Sequence, residues 1–165
     1  MLSGRRDTHK LCFDLVKAFD RVPYWLLVQE AIALGFPLWL LRLSIATYRL
    51  PRVIRVGKYY SEIVVALRGI TAGSGLATTE MLLCMLRIIK RAMSVALSII
   101  PTLFVDDVSA ECTGPRKTVK EELGKFIKSI ADDIAAFGME LSKKKSVFTA
   151  NSDKLGKELE ETWQD

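Results

Sequence analysis

Two apolar runs in this 165-residue chain end abruptly in carboxylates. Leu11-Cys12-Phe13 runs into Asp14, and Leu103-Phe104-Val105 runs into the adjacent pair Asp106 and Asp107. Runs this short and this apolar read as strands, and such strands lie centrally in a compact sheet. If the two are neighbours, three carboxylates converge. Converging carboxylates repel one another, and burial raises the cost. They are tolerated when they share protons or face a hard cation such as Mg²⁺, which takes one or two protein carboxylates and completes its octahedron with waters and phosphates. Two such ions serve in-line phosphoryl displacement. The plainer alternative is that Asp106-Asp107 makes a hairpin turn, where Asp is a favoured residue, and that Asp14 caps a helix. On these residues alone both readings stand.

The rest of the chain builds a consistent frame. HKLCFD, residues 9–14, predicts a short strand. Pro23 and Pro37 suit helix starts, predicting one helix over YWLLVQEAIAL, closed by Gly35, and a second over Leu38–Tyr48. RVIRVGKYYSEIVVAL reads as a hairpin around Gly57-Lys58. The loop RGITAGSG leads into a helix over ATTEMLLCMLRIIKRAM, with Ser74 as a candidate cap. Residues 95–105 and 108–112 predict a second hairpin around the acid pair. An amphipathic helix follows, with Val119, Leu123, Phe126, Ile127, Ile130 and Ile134 at helical spacing and Gly138 at its end. MELSKKKSVFTA predicts a last strand or turn and strand. The fold class is therefore α+β, a mainly antiparallel sheet with helices on one face.

Composition narrows the function classes. Half of the residues are apolar and the mean hydropathy is +0.20, so part of the surface is expected to pack against a further domain or a partner. No uncharged run spans a bilayer, since Arg87, Lys90 and Arg91 interrupt the best one. The N-terminal MLSGRRDTHK lacks a signal-peptide core. The expectation is a non-membrane, intracellular protein, nucleus and cytoplasm undistinguished. The net charge of +5 permits a polyanionic partner. Cys12, Cys84 and Cys112 lack metal-type spacing and are expected to be small buried residues. His9 is the only histidine, which disfavours histidine-based metal sites and Ser–His or Cys–His triads.

CFDLVKAFDRVP, RGITAGSGLATT, FVDD and GMELSKKKS follow one another in that order. In that order they resemble the successive palm motifs of reverse transcriptases, most like the non-LTR retrotransposon and group II intron branch. The likeness covers about Leu11 to Phe148. The first and third motifs are specific together, while the second and fourth would be weak alone.

The resemblance implies a polymerase palm over residues 1–150, followed by a charged tail over 151–165. It implies RNA-directed DNA polymerase activity, by two-metal transfer of deoxynucleotides to a primer 3′-hydroxyl. Asp14, Asp106 and Asp107 would be the catalytic acids and the ligands of two Mg²⁺ ions, with Mn²⁺ an acceptable substitute. Lys145 would protonate the leaving pyrophosphate, with Lys143 and Lys144 equally readable as a solvated basic turn. Phe19 would exclude a ribose 2′-hydroxyl, and Ala72 and Gly73 would lie under the incoming nucleotide. Asp20 would cap or anchor the following turn. The implied partners are an RNA template, a DNA primer and deoxynucleoside triphosphates, with fingers and thumb domains or a protein partner completing the enzyme; those domains are expected to be largely absent from this chain, which alone would polymerise weakly or not at all.

Three positions depart from the family pattern. Ala72 stands where glutamine is usual, Ala77-Thr78 where Ser-Pro is usual, and Phe104 where many relatives carry tyrosine. Ala72, together with the expected absence of fingers and thumb, favours the alternative, an inactive palm remnant that binds nucleic acid or protein; Phe104 is a mild change. A receiver domain also has an Asp-Asp pair, but there the pair comes first in the chain. A nucleotide cyclase shares the metal logic but fits the glycine loop and Phe19 less well.

Overall fold

The computed structural model describes residues 7–142 and 145–150. The chain divides into two compact units, one formed by Met1–Val16 with Met85–Asp165 and the other by Lys17–Cys84.

The first unit is built on a four-stranded antiparallel sheet. Strand β1 (Asp7–Phe13) is central, and the hairpin of β4 (Ile99–Phe104) and β5 (Asp107–Gly114) lies on one side of it. Strand β6 (Val147–Ala150) pairs on the other side, giving the order β4-β5-β1-β6. Alternation decides the faces, because successive side chains in a strand point to opposite sides. In the β1–β5 register Leu11 faces Ala110, Phe13 faces Val108 and His9 faces Cys112, and all six are buried. Between them Lys10 faces Glu111 and Cys12 faces Ser109. Lys10 and Glu111 form an ion pair at 3.0 Å on the open face.

Helix α5 (Arg116–Ala136) covers the buried face. Its apolar residues recur every three or four positions, so Val119, Leu123, Phe126, Ile130 and Ile134 all turn inward and are buried. Ile127 sits at the edge of that stripe and is half-buried. Phe126 meets Phe13 with ring centroids 6.4 Å apart. Burying a side chain of this size is worth roughly 1.5–3 kcal/mol, so this row of contacts contributes heavily to the unit's stability. Asp133, buried on the same helix, is paired with Arg91.

The second unit is mostly helical. A short helix α1 (Ala18–Arg21) precedes α2 (Tyr24–Ala33) and α3 (Leu38–Tyr48), which pack together. Pro23 and Pro37 sit at the N-caps of α2 and α3. Leu26, Leu27, Ala31, Leu41 and Tyr48 form the core with Val22, Ile70 and Met81. A separate hairpin, β2 (Arg55–Val56) with β3 (Tyr59–Tyr60), projects from this unit. Helix α4 (Ala77–Val95) begins in the second unit and runs on into the first. No helix among the described residues is long and apolar enough to cross a membrane.

Four sequence expectations need correction. Cys12 is exposed, because it alternates with the inward Leu11 and Phe13; Cys84 and Cys112 are buried as expected. The first strand of the acid-bearing hairpin starts at Ile99 rather than residue 95, because α4 continues through Val95. The hairpin around Gly57-Lys58 has regular strands of only two residues each, its outer part continuing as the Arg52–Val64 bridge and the Ser61 N–H to Ile54 O bond. Asp20 lies within α1, and the N-caps of α1 and α2 are Lys17 and Pro23 with no side-chain cap.

Candidate functional site

The carboxylates are brought together by register. Phe13 of β1 pairs with Val108 of β5, so one rung further along the same antiparallel ladder sets Asp14 opposite Asp107. Asp107 in turn pairs with Phe104 across the hairpin, which leaves Val105 and Asp106 as a two-residue turn. Asp14 follows the inward Phe13 and so belongs to the open face of the sheet, away from α5.

The turn itself is strained. Val105 has φ +60°, a conformation that a β-branched residue rarely adopts. A positive φ at the first central residue alone is the pattern of a type II′ turn, which ordinarily carries glycine there. Among the described residues only Val105 and Lys17 are non-glycine residues with positive φ, and each lies within three positions of one of the aspartates. Strain of this kind persists where the surrounding structure over-determines the backbone, and it concentrates at active sites.

The electrostatics agree with the geometry. Burial pushes the Asp106 carboxyl above the usual carboxylate range, a hydrogen bond from its own amide offsets part of this, and the charges of Asp107 and Asp14 push it further up. Asp106 therefore feels the charges of both other acids. The Asp14 backbone carbonyl accepts a hydrogen bond from Ser142 N–H at 2.8 Å, and Val16 N–H donates to Glu140 at 2.8 Å. These bonds dock the 140–142 segment beside the acids. From the following turn Lys145 Nζ reaches Asp14 Oδ2 at 3.1 Å. The contact is an ion pair without hydrogen-bond geometry, for the inaccessible Oδ2 has no directed donor. Lys143 and Lys144 lie outside the described residues.

The donor set is all oxygen, which suits Mg²⁺ rather than a softer metal. No group of three or more His, Cys, Asp or Glu side chains among the described residues is arranged to hold a metal ion as it stands. Mg²⁺ asks less than that, since one or two carboxylates suffice. The undirected Oδ2 of Asp14 and the mutual repulsion at Asp106 are what a divalent cation would relieve.

Phe19, Ala72 and Gly73 belong to the second unit. Phe19 is half-buried in α1, and Ala72 and Gly73 are exposed. The backbone ties α1 to the root of the glycine loop: Ile70 N–H donates to Phe19 O at 2.7 Å and Gly69 N–H to Val22 O at 2.8 Å. Gly69 is required there, because a Cβ would lie 2.8 Å from the Asp20 carbonyl oxygen. A cavity of about 460 Å³ opens beside the loop, lined in part by Tyr48, Arg52, Thr71, Ala72, Gly73 and Ser74.

Sequence reasoning missed the support of that loop. Glu80 is fully buried and accepts a hydrogen bond from Tyr48 Oη at 2.7 Å. Tyr48 Oη also lies 3.0 Å from Ser74 Oγ, which accepts from Leu76 N–H at 3.4 Å. Burial, countered in part by the bond to Ser74 and reinforced by Glu80, pushes the Tyr48 hydroxyl up to about 12. The hydroxyl therefore stays protonated at ordinary pH and its bonds to Glu80 and Ser74 fix the loop at the start of α4. The available signal was the one acid of this helix, placed in its first turn before the apolar run Met81–Leu86.

A family profile described as reverse transcriptase (RNA-dependent DNA polymerase) matches residues 2–159. The chain belongs to the reverse transcriptase family. No curated protein matches its sequence significantly. Among solved structures, apo telomerase from Candida tropicalis, truncated from its C-terminal domain, superposes with a TM-score of 0.69 at 12% identity, over 88% of this chain and 31% of that one. Telomerase from the same organism in complex with a fragment of telomeric RNA gives a TM-score of 0.66 at 12% identity, over 92% of this chain and 27% of that one. This reverse transcriptase chain thus spans less than a third of the length of the structures it matches, and at that identity the likeness concerns the fold, a polymerase palm-like arrangement of antiparallel sheet and helices.

Proposed function

We propose that this chain carries the catalytic palm of an RNA-directed DNA polymerase, of the non-LTR retrotransposon or group II intron kind, acting inside the cell. The observation that carries the reading is the convergence of Asp14, Asp106 and Asp107 at the ends of two neighbouring strands, with the Asp106 carboxyl raised by burial and by the other two. In the reaction the primer 3′-oxygen bonds to the α-phosphorus of a deoxynucleoside triphosphate and the α–β phosphoanhydride breaks, releasing pyrophosphate. Asp14 and Asp106, with Asp107 beside them, would hold two Mg²⁺ ions, which supply the charge that activates the hydroxyl and stabilises the leaving group. Lys145, ion-paired with Asp14, gives a proton to the leaving pyrophosphate. Phe19 selects against a ribose 2′-hydroxyl, and Ala72 and Gly73 form the floor under the nucleotide. The RNA template and DNA primer are the macromolecular partners, with fingers and thumb elements supplied by further domains or by a partner.

Ala72 in place of the usual glutamine favours a second reading, a palm that binds without chemistry. A Mg²⁺ or Mn²⁺ titration followed by thermal unfolding separates the two. A binding-competent site stabilises the fold by about 2.7 kcal/mol at a metal concentration a hundred times its dissociation constant, and Asp106→Asn removes that shift. A parent chain whose melting temperature ignores both ions is the binding module instead. In primer extension on an RNA template, Asp106→Asn is expected to lower any activity by more than about a hundredfold.

A further inference from the structure

The chain's positive charge is not spread over its surface. Residues 42–68 hold six basic side chains, Arg42, Arg49, Arg52, Arg55, Lys58 and Arg68, against the single acid Glu62. Six against one is a balance of +5, the whole net charge of the protein, and the remainder of the chain carries eighteen residues of each sign. The stretch lies entirely in the second unit and includes the β2–β3 hairpin, where every residue from 51 to 65 is exposed.

Two rings stand out on this hairpin. Tyr59 is 71% exposed and Tyr60 64%. Each has a cation beside it: Arg55 lies 5.6 Å from the Tyr60 ring centroid and Lys58 lies 5.7 Å from that of Tyr59. Arg55 is further fixed by a bond from its Nε to Gly57 O at 2.8 Å. The basic residues at 49, 52, 55 and 58 recur every third position. A protein–protein interface core is depleted of charge, whereas here the exposed Val53, Ile54 and Val56 are interspersed with Arg52, Arg55 and Lys58. Exposed aromatic rings for base stacking, interleaved with cations for phosphates, are instead the pattern of single-strand recognition.

We propose that the β2–β3 hairpin and its basic flanks form a binding surface for single-stranded RNA. A duplex hides its base faces in the stack, so the two tyrosines would gain nothing from it, whereas an unpaired strand offers bases to both. The choice of RNA over DNA rests on the RNA-directed reading given above; the charge and the rings do not depend on it.

The test is fluorescence anisotropy of a labelled single-stranded RNA oligonucleotide with the full chain, across a salt series. Replacing Arg55, Lys58, Tyr59 and Tyr60 together by Ala weakens binding by at least about 30-fold from the two lost stacking rings. The same change lowers the salt slope by about 1.4, since each phosphate contact on a single strand contributes about 0.7. A control with Lys117→Ala and Lys128→Ala, equal in charge removed but on α5, keeps its affinity. Unchanged RNA affinity in the hairpin variant, with a cooperative melt like the parent's, overturns the proposal, as does tighter binding of duplex RNA or of single-stranded DNA. Loss of self-association in sedimentation with RNA affinity intact assigns the surface to a protein and also overturns it. Failure of the polymerase reading looks different: the parent binds RNA, the hairpin variant does not, and no metal-dependent primer extension or thermal shift is found.

Discussion

Two hairpins among the described residues share a turn length and have opposite support. In β4–β5 the strands are six and eight residues long, lie in a four-stranded sheet and press one face onto α5. In β2–β3 each strand has two residues, and both faces are exposed. Each turn has two central residues, the first with positive φ: Val105 at +60° and Gly57 at +61°. The unsupported hairpin uses glycine, which adopts that conformation without cost. The supported one forces a β-branched residue into it, and the next residue is the half-buried, charge-crowded Asp106. A packed sheet can hold a strained backbone and three like charges in place; a short hairpin exposed on both faces has no such packing to hold them. The difference suggests why the acids sit on one hairpin and the exposed rings on the other.

Three sets of substitutions would break or sharpen that contrast. The largest effect is expected from packing. Phe126→Ala, beneath β1 and β5, should cost about 3–5 kcal/mol in chemical denaturation, whereas Ile63→Ala beside the exposed hairpin should stay within about 0.5 kcal/mol. Comparable losses at the two sites would mean that the second hairpin is packed after all.

Exchanging the turn residues comes next. Gly57→Val should destabilise by about 1–3 kcal/mol through backbone strain alone, because no neighbour lies within 4 Å of a Cβ at that position. Val105→Gly should stabilise by about 1 kcal/mol, relief of strain being partly offset by the greater freedom of glycine when unfolded. A destabilised Val105→Gly would show that the valine side chain contributes more than its backbone costs.

The smallest effect concerns charge. Because the Asp106 carboxyl is raised on folding, its contribution to stability is complete below its unfolded pKa and is lost as pH rises through the folded one. At neutral pH without divalent cation the carboxylate therefore opposes folding, and Asp106→Asn should raise the melting temperature. The gain should be under about 1 kcal/mol, since solvent screens a group so exposed, and should vanish below about pH 4. A gain that persists at pH 3 would point to a cause other than ionisation.

Much of this was legible in advance because it is local. Helical spacing marked the buried stripe of α5 from Val119 to Ile134, proline and glycine marked the ends of α2 and α3, and apolar runs marked the strands that carry Asp14 and Asp106. Each of those signals depends on residues within one or two turns of each other. What lay beyond reach needed partners distant in the chain. Whether Cys12 faced in or out followed from its neighbours Leu11 and Phe13 only once β1 was known to have one open face. The buried contact of Glu80 with Tyr48 joins residues 32 positions apart, and no spacing rule reports it.

By itself, then, the sequence determined the elements, their order and the chemistry available at their ends, since propensity and periodicity act over a few residues. Tertiary structure alone decided that Asp14 stands one rung past the Phe13–Val108 pair, opposite Asp107, that Lys145 closes onto Asp14, and that Val105 accepts a conformation it disfavours. Those are consequences of strand register and of a core that holds the strands to it, and register is a relation between segments that neither segment specifies alone.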